Sequence, residues 1–409
     1  MDFEYGIIGG GPAGYTVAMT LAQNGHSVVL FEKDKLGGTC LNRGCIPTKS
    51  LLHSSELYKQ IKNSHEIGVE LEIKNFDFSK ISEKRDKTVE KIRKGLELAV
   101  KNSGVIVVNS EAKALNPTTI LADKEYTVEK IIFATGAKPR ELNGLETDGN
   151  FILNSDDVLK LDRLPKSVLI IGSGAIGIEW ARIFSNFGVE VSLVEMAEHL
   201  IPLADIEVSK RIERIFKQNK IKFYTNDCID KIENKTVSLR SGASIEPDFI
   251  LLAVGRIPTK PELETCKILG DASGEIQLAH YAISQAINYA NNKNTTLTKE
   301  LIPSVIYGDP EIAWVGQREQ DCDDSYSKIM LPITALGKSW CDDATEGFIK
   351  ILAKDNYIVG AHIVSKEASA LIQQVLIAMQ HKISIDKLKE VCFAHPTFSE
   401  GIFEAIWRL

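Results

Sequence analysis

The sequence repeats one glycine-rich pattern, and this repeat constrains the possible folds more than any other feature. In the first copy, Gly9, Gly11 and Gly14 follow a short apolar run, and a second apolar run ends at Glu32. Glycines at this spacing let the backbone turn tightly, approach a pyrophosphate and pack a helix against a strand, while the acid binds a ribose. The pattern predicts a βαβ dinucleotide-binding unit with strands Tyr5–Ile8 and Ser27–Phe31 and a helix Ala13–Asn24.

The second copy places Gly172, Gly174 and Gly177 after an apolar run, and Glu195 follows at the same distance as in the first copy. A single glycine motif of this kind also occurs as a simple tight turn. Two copies with matching offsets favour the nucleotide-binding interpretation and predict two bound dinucleotides. The predicted strands of this unit are Ser167–Ile171 and Val189–Val194, with a helix between them that ends near Phe187.

Apolar periodicity in the rest of the chain predicts an α/β protein with a separate C-terminal α+β domain. A helix at Lys84–Lys101 and a strand at Lys130–Phe133 precede the second unit, and the strand ends in the turn ATGAKP. A matching strand, Phe249–Val254, ends in GRIP, and the polar run Asn291–Lys299 indicates a connector. The predicted C-terminal elements are strands Ser304–Tyr307, Gly347–Leu352 and Tyr357–Val364 and a helix Glu367–His381.

Two cysteines, Cys40 and Cys45, lie in the segment GGTCLNRGCIPTK directly after the first nucleotide unit. A disulfide that closes so small a loop removes little entropy from the unfolded chain, so the pair is better explained as a redox couple than as a structural link. A zinc site is disfavoured because no second cysteine pair or histidine pair completes a ligand set, and we expect no metal. We expect the other cysteines to be free thiols: Cys228, Cys266, Cys322, Cys341 and Cys392.

Charge and hydropathy limit the possible partners. The net charge of −7 disfavours nucleic acid, which requires a basic face. No apolar run reaches the roughly 18 residues of a membrane helix, so we expect no membrane association. The N-terminus resembles a signal peptide in its apolar content, but Asp2 and Glu4 stand where positive charge is required, so the sequence predicts a cytoplasmic protein.

The glycine units, the cysteine segment, the ATG turn, the Gly270–Asp271 pair and the segment HPTFSE at His395 occur in the order typical of the flavin-dependent pyridine nucleotide-disulfide oxidoreductases. The chain resembles this family from end to end. The resemblance implies two Rossmann-like domains and a C-terminal dimerisation domain. The implied boundaries are 1–149 for FAD, 150–258 for NAD, 259–299 for a segment that completes the FAD site, and 300–409 for the dimer interface.

The resemblance also implies the residues that hold each cofactor. Asp271 corresponds to the residue that binds the FAD ribityl chain, Ala279 begins a helix aimed at the flavin, and Lys49 and Glu179 form a pair near its reactive nitrogen. The remaining implied FAD residues are Gly9, Gly11, Gly14, Glu32 and Gly136. The implied NAD unit contains Gly172, Gly174, Gly177, Glu179, Glu195 and Gly255.

By the same resemblance, Cys45 is the cysteine beside the flavin and Cys40 exchanges with the substrate. A helix beginning near Pro47 would lower the pKa of the Cys45 thiol. His395 corresponds to the base and Glu400 to its orienting carboxylate. The implied enzyme is a homodimer with two composite sites, in which the HPTFSE segment of one subunit reaches the cysteine pair of the other. It is expected to oxidise protein-bound dihydrolipoamide with NAD⁺, and its implied partners are the lipoyl domains of 2-oxoacid dehydrogenase complexes or of glycine cleavage.

Neighbouring residues separate the possible substrates. No arginine follows Glu195 in the next residues, which favours NAD over NADP because a 2′-phosphate would meet like charge. Glutathione-reducing relatives carry a tyrosine in the second glycine motif, where this chain has Ile176. They also carry an arginine pair in the first helix, where this chain has the run Tyr15–Ala18. The chain stops at Leu409 without the extra cysteine pair of mercuric or large thioredoxin reductases. A related NADH-dependent disulfide reductase with another thiol substrate stays an alternative.

One segment departs from the family pattern. Only the eleven residues TKPELETCKIL, 259–269, separate GRIP from Gly270, where relatives have a longer stretch with a strand of the FAD domain. We expect this deletion to leave that sheet short of a strand. An impaired flavoprotein or an inactive binding protein therefore stays a second alternative, although Cys40, Cys45, His395 and Glu400 are all present.

Overall fold

The computed structural model describes residues 1–261, 263, 265–293 and 298–409. Residues 294–297 of the predicted connector and residues 262 and 264 of the shortened segment lie outside the described part. Within the described part, the strands form five sheets. No helix there is long and apolar enough to cross a membrane.

The first glycine unit forms the centre of a mixed sheet. Its strands are β1 (Phe3–Ile8), β2 (Val28–Glu32), β3 (Ile106–Asn109), β4 (Lys113–Asn116), β5 (Thr119–Leu121), β6 (Glu125–Phe133) and the separate β7 (Ala137–Pro139); its helices are α1 (Pro12–Gln23), α2 (Gly38–Arg43), α3 (Cys45–Lys62) and α4 (Phe78–Asn102). The order is β3-β2-β1-β6-β5-β4, and β1 pairs in parallel with both β2 and β6. Ile7, Leu30 and Ile132 are fully buried in register, as expected where helices cover a parallel sheet.

The second glycine unit repeats this arrangement in a five-stranded parallel sheet, β11-β10-β9-β15-β8, followed by a small antiparallel sheet of β12, β13 and β14. Its elements are β8 (Ile152–Leu153), β9 (Ser167–Ile171), α5 (Ala175–Asn186), β10 (Glu190–Val194), α6 (Ile206–Gln218), β11 (Lys222–Tyr224), β12 (Ile229–Glu233), β13 (Thr236–Leu239), β14 (Ser244–Ile245), β15 (Phe249–Leu252) and β16 (Arg256–Pro258). Strand β16 pairs with β7, which joins the two turns ATGAKP and GRIP, with Ile257 opposite Lys138.

The expectation that the first sheet lacks a strand was wrong. A short strand β17 (Lys267–Ile268) pairs in parallel with the carboxyl end of β6, and the Leu269 N–H donates to the Phe133 carbonyl at 2.8 Å. The shortened segment is therefore still long enough to reach the sheet edge. The helix α7 (Ala279–Ala290) follows and packs on α1.

The C-terminal region is a five-stranded antiparallel sheet with helices, as predicted. Its order is β18-β19-β22-β21-β20, with β18 (Ser304–Ile306), β19 (Glu311–Gly316), β20 (Ser327–Pro332), β21 (Phe348–Lys354) and β22 (Tyr357–Ser365); the helices are α8 (Gly337–Cys341), α9 (Ala368–Gln380), α10 (Ile385–Lys389) and α11 (Glu400–Trp407). Buried Leu51 of α3, Phe184 of α5 and Ile306 of β18 belong to one continuous apolar core. All three regions of the chain therefore meet around α3 and α5.

Candidate redox site

The first glycine loop has the close backbone contacts that its sequence predicts. Gly9 has a φ of +107°, and a Cβ at Gly14 would overlap the Gly9 carbonyl oxygen. Only glycine permits both features. Glu32 accepts hydrogen bonds from the Gly10 N–H at 2.7 Å and from the Asp34 N–H at 2.8 Å, so its carboxylate is fixed at the mouth of the loop.

Space and polarity in this loop fit a dinucleotide. Gly11 caps α1 without a side-chain hydrogen bond, and a Cβ there would meet only the Gly38 Cα, at 3.8 Å. Pro12, the first residue of α1, has no N–H, so a phosphate would meet the N–H groups of Ala13 and Gly14. Gly136, at φ +72°, also has no neighbouring atom within 4 Å of a Cβ.

Two further elements converge on the same region. Burial raises the pKa of the Asp271 carboxyl, while the positive charge of Arg256 opposes that rise. A half-buried acid of this kind is better satisfied by a hydroxyl that donates to it. Helix α7 begins at Ala279, and its N-cap, Leu278, supplies no side-chain hydrogen bond.

The second glycine loop has the same construction. Gly172 has a φ of +99°, and a Cβ at Gly177 would overlap the Gly172 carbonyl oxygen. The Ser173 N–H and hydroxyl donate to Glu195 at 2.9 and 2.7 Å, and the Ala197 N–H donates to its other oxygen at 2.9 Å. Open space surrounds the Cβ positions of Gly174 and Gly255.

The two redox cysteines lie on consecutive helices. Cys40 is in α2, Gly44 separates the helices, and Cys45 is the first residue of α3, two positions earlier than the start expected near Pro47. Both are free thiols in the structure, the reduced form of the predicted couple.

Electrostatics distinguish the two sulfurs. A hydrogen bond from the Cys40 thiol lowers the pKa of Cys45 to about 7, against the effect of burial and with the help of the Lys49 charge. The same hydrogen bond, together with burial, raises the pKa of Cys40. Cys45 is therefore the thiolate of the pair near neutral pH, and Cys40 keeps its proton.

An ion pair connects the cysteine helix to the second nucleotide domain. The Lys49 Nζ donates to both carboxylate oxygens of Glu179, at 2.8 and 2.9 Å, and only 4% of the Glu179 side chain is exposed. Burial alone would lower the pKa of Lys49, but the Glu179 carboxylate reverses this effect and raises it. Lys49 thus stays a cation near Cys45.

In the HPTFSE segment, a histidine ring is within hydrogen-bond distance of a carboxylate. The His395 Nδ1 lies 2.7 Å from Glu400, whose other oxygen accepts the Thr397 N–H at 2.8 Å. Burial tends to raise the pKa of Glu400, but the Thr397 N–H and the His395 ring hold it below its ordinary value. An ionised carboxylate in this position fixes the ring tautomer and stabilises an imidazolium.

Within one chain, the structure brings Cys40, Cys45, Lys49 and Glu179 together but does not add His395 to them. The His395 side chain is 76% exposed, and among the described residues its ring hydrogen-bonds to Glu400. Among the described residues, therefore, no hydrogen bond or ion pair joins His395 to the cysteines of its own chain.

Three residues of this region were missed by the sequence interpretation. The Lys49 Nζ lies 4.7 Å from the centre of the Tyr307 ring, the buried Arg182 follows Glu179 by one turn, and Arg256 donates to the Ala137 carbonyl at 2.6 Å. Only Arg256 had a sequence signal, since it belongs to the GRIP turn that was recognised.

Comparison with known proteins is consistent with this geometry. Residues 3–286 match the family described as pyridine nucleotide-disulphide oxidoreductase, and residues 302–406 match the dimerisation domain of the same family.

Among curated proteins, the dihydrolipoyl dehydrogenase of Bacillus subtilis is 32% identical, covering 98% of this chain and 97% of that protein. The mitochondrial dihydrolipoyl dehydrogenase of Pisum sativum is 33% identical, covering 98% and 90%. The alignment with the B. subtilis protein spans 444 positions, more than the 409 residues of this chain, so that relative has residues with no counterpart here.

Among solved structures, LpdA from Mycobacterium tuberculosis has the same fold, with a TM-score of 0.91 at 23% identity over 99% of both chains. The HOCl-induced flavoprotein disulfide reductase RclA from Escherichia coli follows the same chain path, with a TM-score of 0.85 at 23% identity over 99% of both chains. At this level of identity, the likeness describes the architecture alone.

Proposed function

Since the chain belongs to the pyridine nucleotide-disulphide oxidoreductase family, we propose that it is a dihydrolipoyl dehydrogenase, which oxidises protein-bound dihydrolipoamide to lipoamide and reduces NAD⁺ to NADH. The observation that carries the proposal is the Cys40–Cys45 pair at the junction of α2 and α3, where the Cys40 hydrogen bond and the Lys49 charge lower the pKa of the Cys45 thiol. Relatives of this activity align over nearly the whole chain.

FAD and NAD are the cofactors. Gly9, Gly11, Gly14 and Glu32 would hold the ADP part of FAD, with Gly136, Asp271 and the α7 N-terminus at Ala279 around the rest; Gly172, Gly174, Gly177, Glu195 and Gly255 would hold NAD. Bound FAD supplies two-electron transfer between the thiol pair and NAD as hydride.

The protein's own residues perform the thiol chemistry. His395 takes the proton of a dihydrolipoamide thiol at Nε2, since Nδ1 is engaged with Glu400. The resulting thiolate attacks Cys40 in the oxidised pair, the Cys40–Cys45 bond breaks, and Cys45 leaves as a thiolate that Lys49 stabilises. The second substrate thiol then loses its proton and displaces Cys40, and the leaving Cys40 sulfur takes up that proton, so that lipoamide is released and both cysteines are reduced.

The protein is a homodimer, built on the dimerisation domain at residues 302–406. We assign each redox site to two chains: Cys40 and Cys45 from one subunit, and His395 with Glu400 from the other. The strong exposure of the His395 ring in one chain supports this assignment.

We place the enzyme in the cytoplasm and assign lipoyl domains of 2-oxoacid dehydrogenase complexes or of glycine cleavage as its macromolecular substrates.

The proposal is tested with the purified protein, dihydrolipoamide and NAD⁺. We expect bound flavin in the absorbance spectrum, bleaching of that spectrum by dihydrolipoamide, and formation of NADH on adding NAD⁺. A folded protein that takes up no flavin, or one that is bleached by NADH but not by dihydrolipoamide, contradicts the proposal.

A further inference from the structure

A loop at the start of the C-terminal domain wraps the guanidinium of Arg182. The Arg182 Nη1 donates to the Pro310 carbonyl at 2.7 Å and to the Tyr307 carbonyl at 3.2 Å. Between these residues, Gly308 has a φ of +142°, and a Cβ there would overlap Nη1. Loop 307–310 is therefore shaped around this side chain, which is buried.

The same loop holds both members of the Lys49–Glu179 ion pair. The Tyr307 N–H donates to Glu179 at 3.1 Å, and the Tyr307 ring lies under the Lys49 ammonium at 4.7 Å. A cation over an aromatic face is attracted to the ring, and more strongly where water is excluded. Because Arg182 binds the Tyr307 carbonyl, it fixes the residue that touches Glu179 and Lys49.

Arg182 also sits among more negative charge than it neutralises. Glu56, Asp309 and Glu311 surround it, and burial together with the Asp309 charge raises the pKa of Glu56 to about 7. The buried Arg182 Nε and Nη2 and the Glu56 Oε1 have no hydrogen-bond partner among the described residues. Arg182 is thus the buried cation on which these acids act, and it lowers the pKa of Glu56 against the effect of burial.

We propose that Arg182 is a positioning residue that fixes the Lys49–Glu179 pair beside Cys45 through loop 307–310. The inference rests on the proposed role of Cys45 as the working thiolate. Arg182 touches neither sulfur, so it acts through Tyr307 and Lys49. When Arg182 is removed, the loop loses its anchor, Lys49 shifts from Cys45, and the Cys45 thiol holds its proton to higher pH.

The experiment measures the thiolate at Cys45 itself, in the flavin-containing dimer. Cys40→Ser serves as the background, because serine keeps a hydroxyl beside Cys45 and prevents a disulfide. Alkylation by iodoacetamide is followed between pH 5 and 10 by the mass of the peptide that contains Cys45. Arg182→Met should slow alkylation at pH 7 about three- to tenfold, because only the thiolate reacts, with recovery at high pH.

Arg85→Met is the matched control. Arg85 is also a buried arginine that donates to a backbone carbonyl, that of Leu159 at 2.8 Å, but it does not bind loop 307–310. It should leave the Cys45 profile unchanged. Gly308→Ala, whose methyl group would displace the guanidinium, should reproduce the pH profile of Cys45 alkylation seen in Arg182→Met. Arg182→Lys should give a profile between those of the Cys40→Ser background and Arg182→Met.

These variants separate the inference from the proposed function. An unchanged profile in Arg182→Met or in Gly308→Ala, or an equal change in Arg85→Met, overturns the positioning role. If Arg182→Met does not fold, Gly308→Ala and Arg182→Lys decide the question alone. A protein without dihydrolipoamide activity that still shows the Arg182-dependent shift would overturn the function and keep the inference.

Discussion

The Lys49 ammonium lies 2.8 Å from the Glu179 carboxylate, and this contact joins the cysteine helix α3 to the glycine-loop helix α5 of the second nucleotide domain. Lys49 is positioned by α3, the helix that begins at Cys45. Glu179 is positioned by α5, the helix that follows the second glycine loop. The geometry of the thiol site and the relative position of the two nucleotide domains depend on the same side chains.

Replacement of Cys45 or Cys40 by serine should abolish dihydrolipoamide turnover while flavin stays bound, since neither side chain closes the glycine loops. Turnover and the flavin spectrum are measured on the same preparation. Cys341→Ser, which removes an exposed thiol, is the control and should be fully active. Substantial turnover in Cys40→Ser would show that the exchange occurs at another group.

His395→Ala should lower the thiol half-reaction by about 10²–10⁴-fold, the usual contribution of a positioned acid–base group. Reduction of the enzyme by NADH should change far less, because that half-reaction needs no thiol proton transfer. Rapid-mixing measurement of both half-reactions tests the assignment. Glu400→Gln keeps a hydrogen bond to the ring but removes the charge, so it should give a smaller loss. Equal losses in both half-reactions would indicate a structural role for His395.

Coenzyme choice should follow Glu195. Its carboxylate orders the Ser173 and Ala197 amides and would repel a 2′-phosphate. Wild-type protein should prefer NAD⁺ by kcat/KM, and Glu195→Gln should reduce that preference because it keeps the acceptor but not the charge. Glu190→Gln, at the exposed start of the same strand, is the control. A wild-type preference for NADP⁺ would contradict this assignment.

The sequence predicted the elements that depend on short-range geometry. The two glycine loops and the cysteine pair are each defined by residues close in the chain, and the strand Ser167–Ile171 was predicted with its observed bounds. Helix α4 begins at Phe78 rather than Lys84 because Asp77 accepts the Ser79 N–H at 3.0 Å, a capping signal that the sequence did contain.

Long-range contacts were not predictable in this way. Arg182 and Gly308 are far apart in the sequence, and nothing near either residue indicates that one fits around the other. The edge strand β17 was also missed, because two residues are too few for any periodic pattern. The exposed position of His395 follows only from the packing of the C-terminal domain, although its partner Glu400 was predicted from the motif.

Lys350 and Asp205 form a fully buried ion pair between β21 and the start of α6, with a distance of 2.7 Å. Lys350→Met should lower the free energy of unfolding by about 3–5 kcal/mol, since it leaves the buried Asp205 carboxylate without its ammonium partner. Lys328→Met, which removes an exposed partner of Glu319, should cost about 1 kcal/mol or less. Urea midpoints at pH 7 compare the two; equal values would mean that the buried pair contributes no more than a surface pair.

The same pair gives a pH dependence with a defined sign. Burial tends to raise the pKa of Asp205, but the Lys350 ammonium and the Glu319 N–H hold it below the ordinary 3.8. Its stabilising contribution is therefore present above the unfolded pKa and is lost as the pH falls below about 4. Urea midpoints measured from pH 7 to pH 3 should fall less steeply in Asp205→Asn than in the wild type.

The short edge strand should make flavin retention the first property lost on heating. β17 contributes two residues to the sheet, and Asp271 follows it almost directly, with the Gly270 N–H held by Gln285 at 2.7 Å. Few hydrogen bonds thus fix the segment that would hold the ribityl chain. The flavin should be released, with a rise in its fluorescence, below the temperature at which far-UV dichroism is lost. Added FAD should raise the melting temperature in a concentration-dependent way.

Two variants test this expectation. Gln285→Leu should increase the difference between the temperature of flavin release and that of unfolding. Gln374→Leu, which breaks a comparable 2.8 Å bond to Ser399 in the C-terminal domain, should leave that difference unchanged. Insertion of the family's longer segment after Pro258 should decrease that temperature difference. If flavin and dichroism are lost at the same temperature, both in the unmodified protein and in Gln285→Leu, then β17 is sufficient to hold the flavin segment and the deletion is compensated.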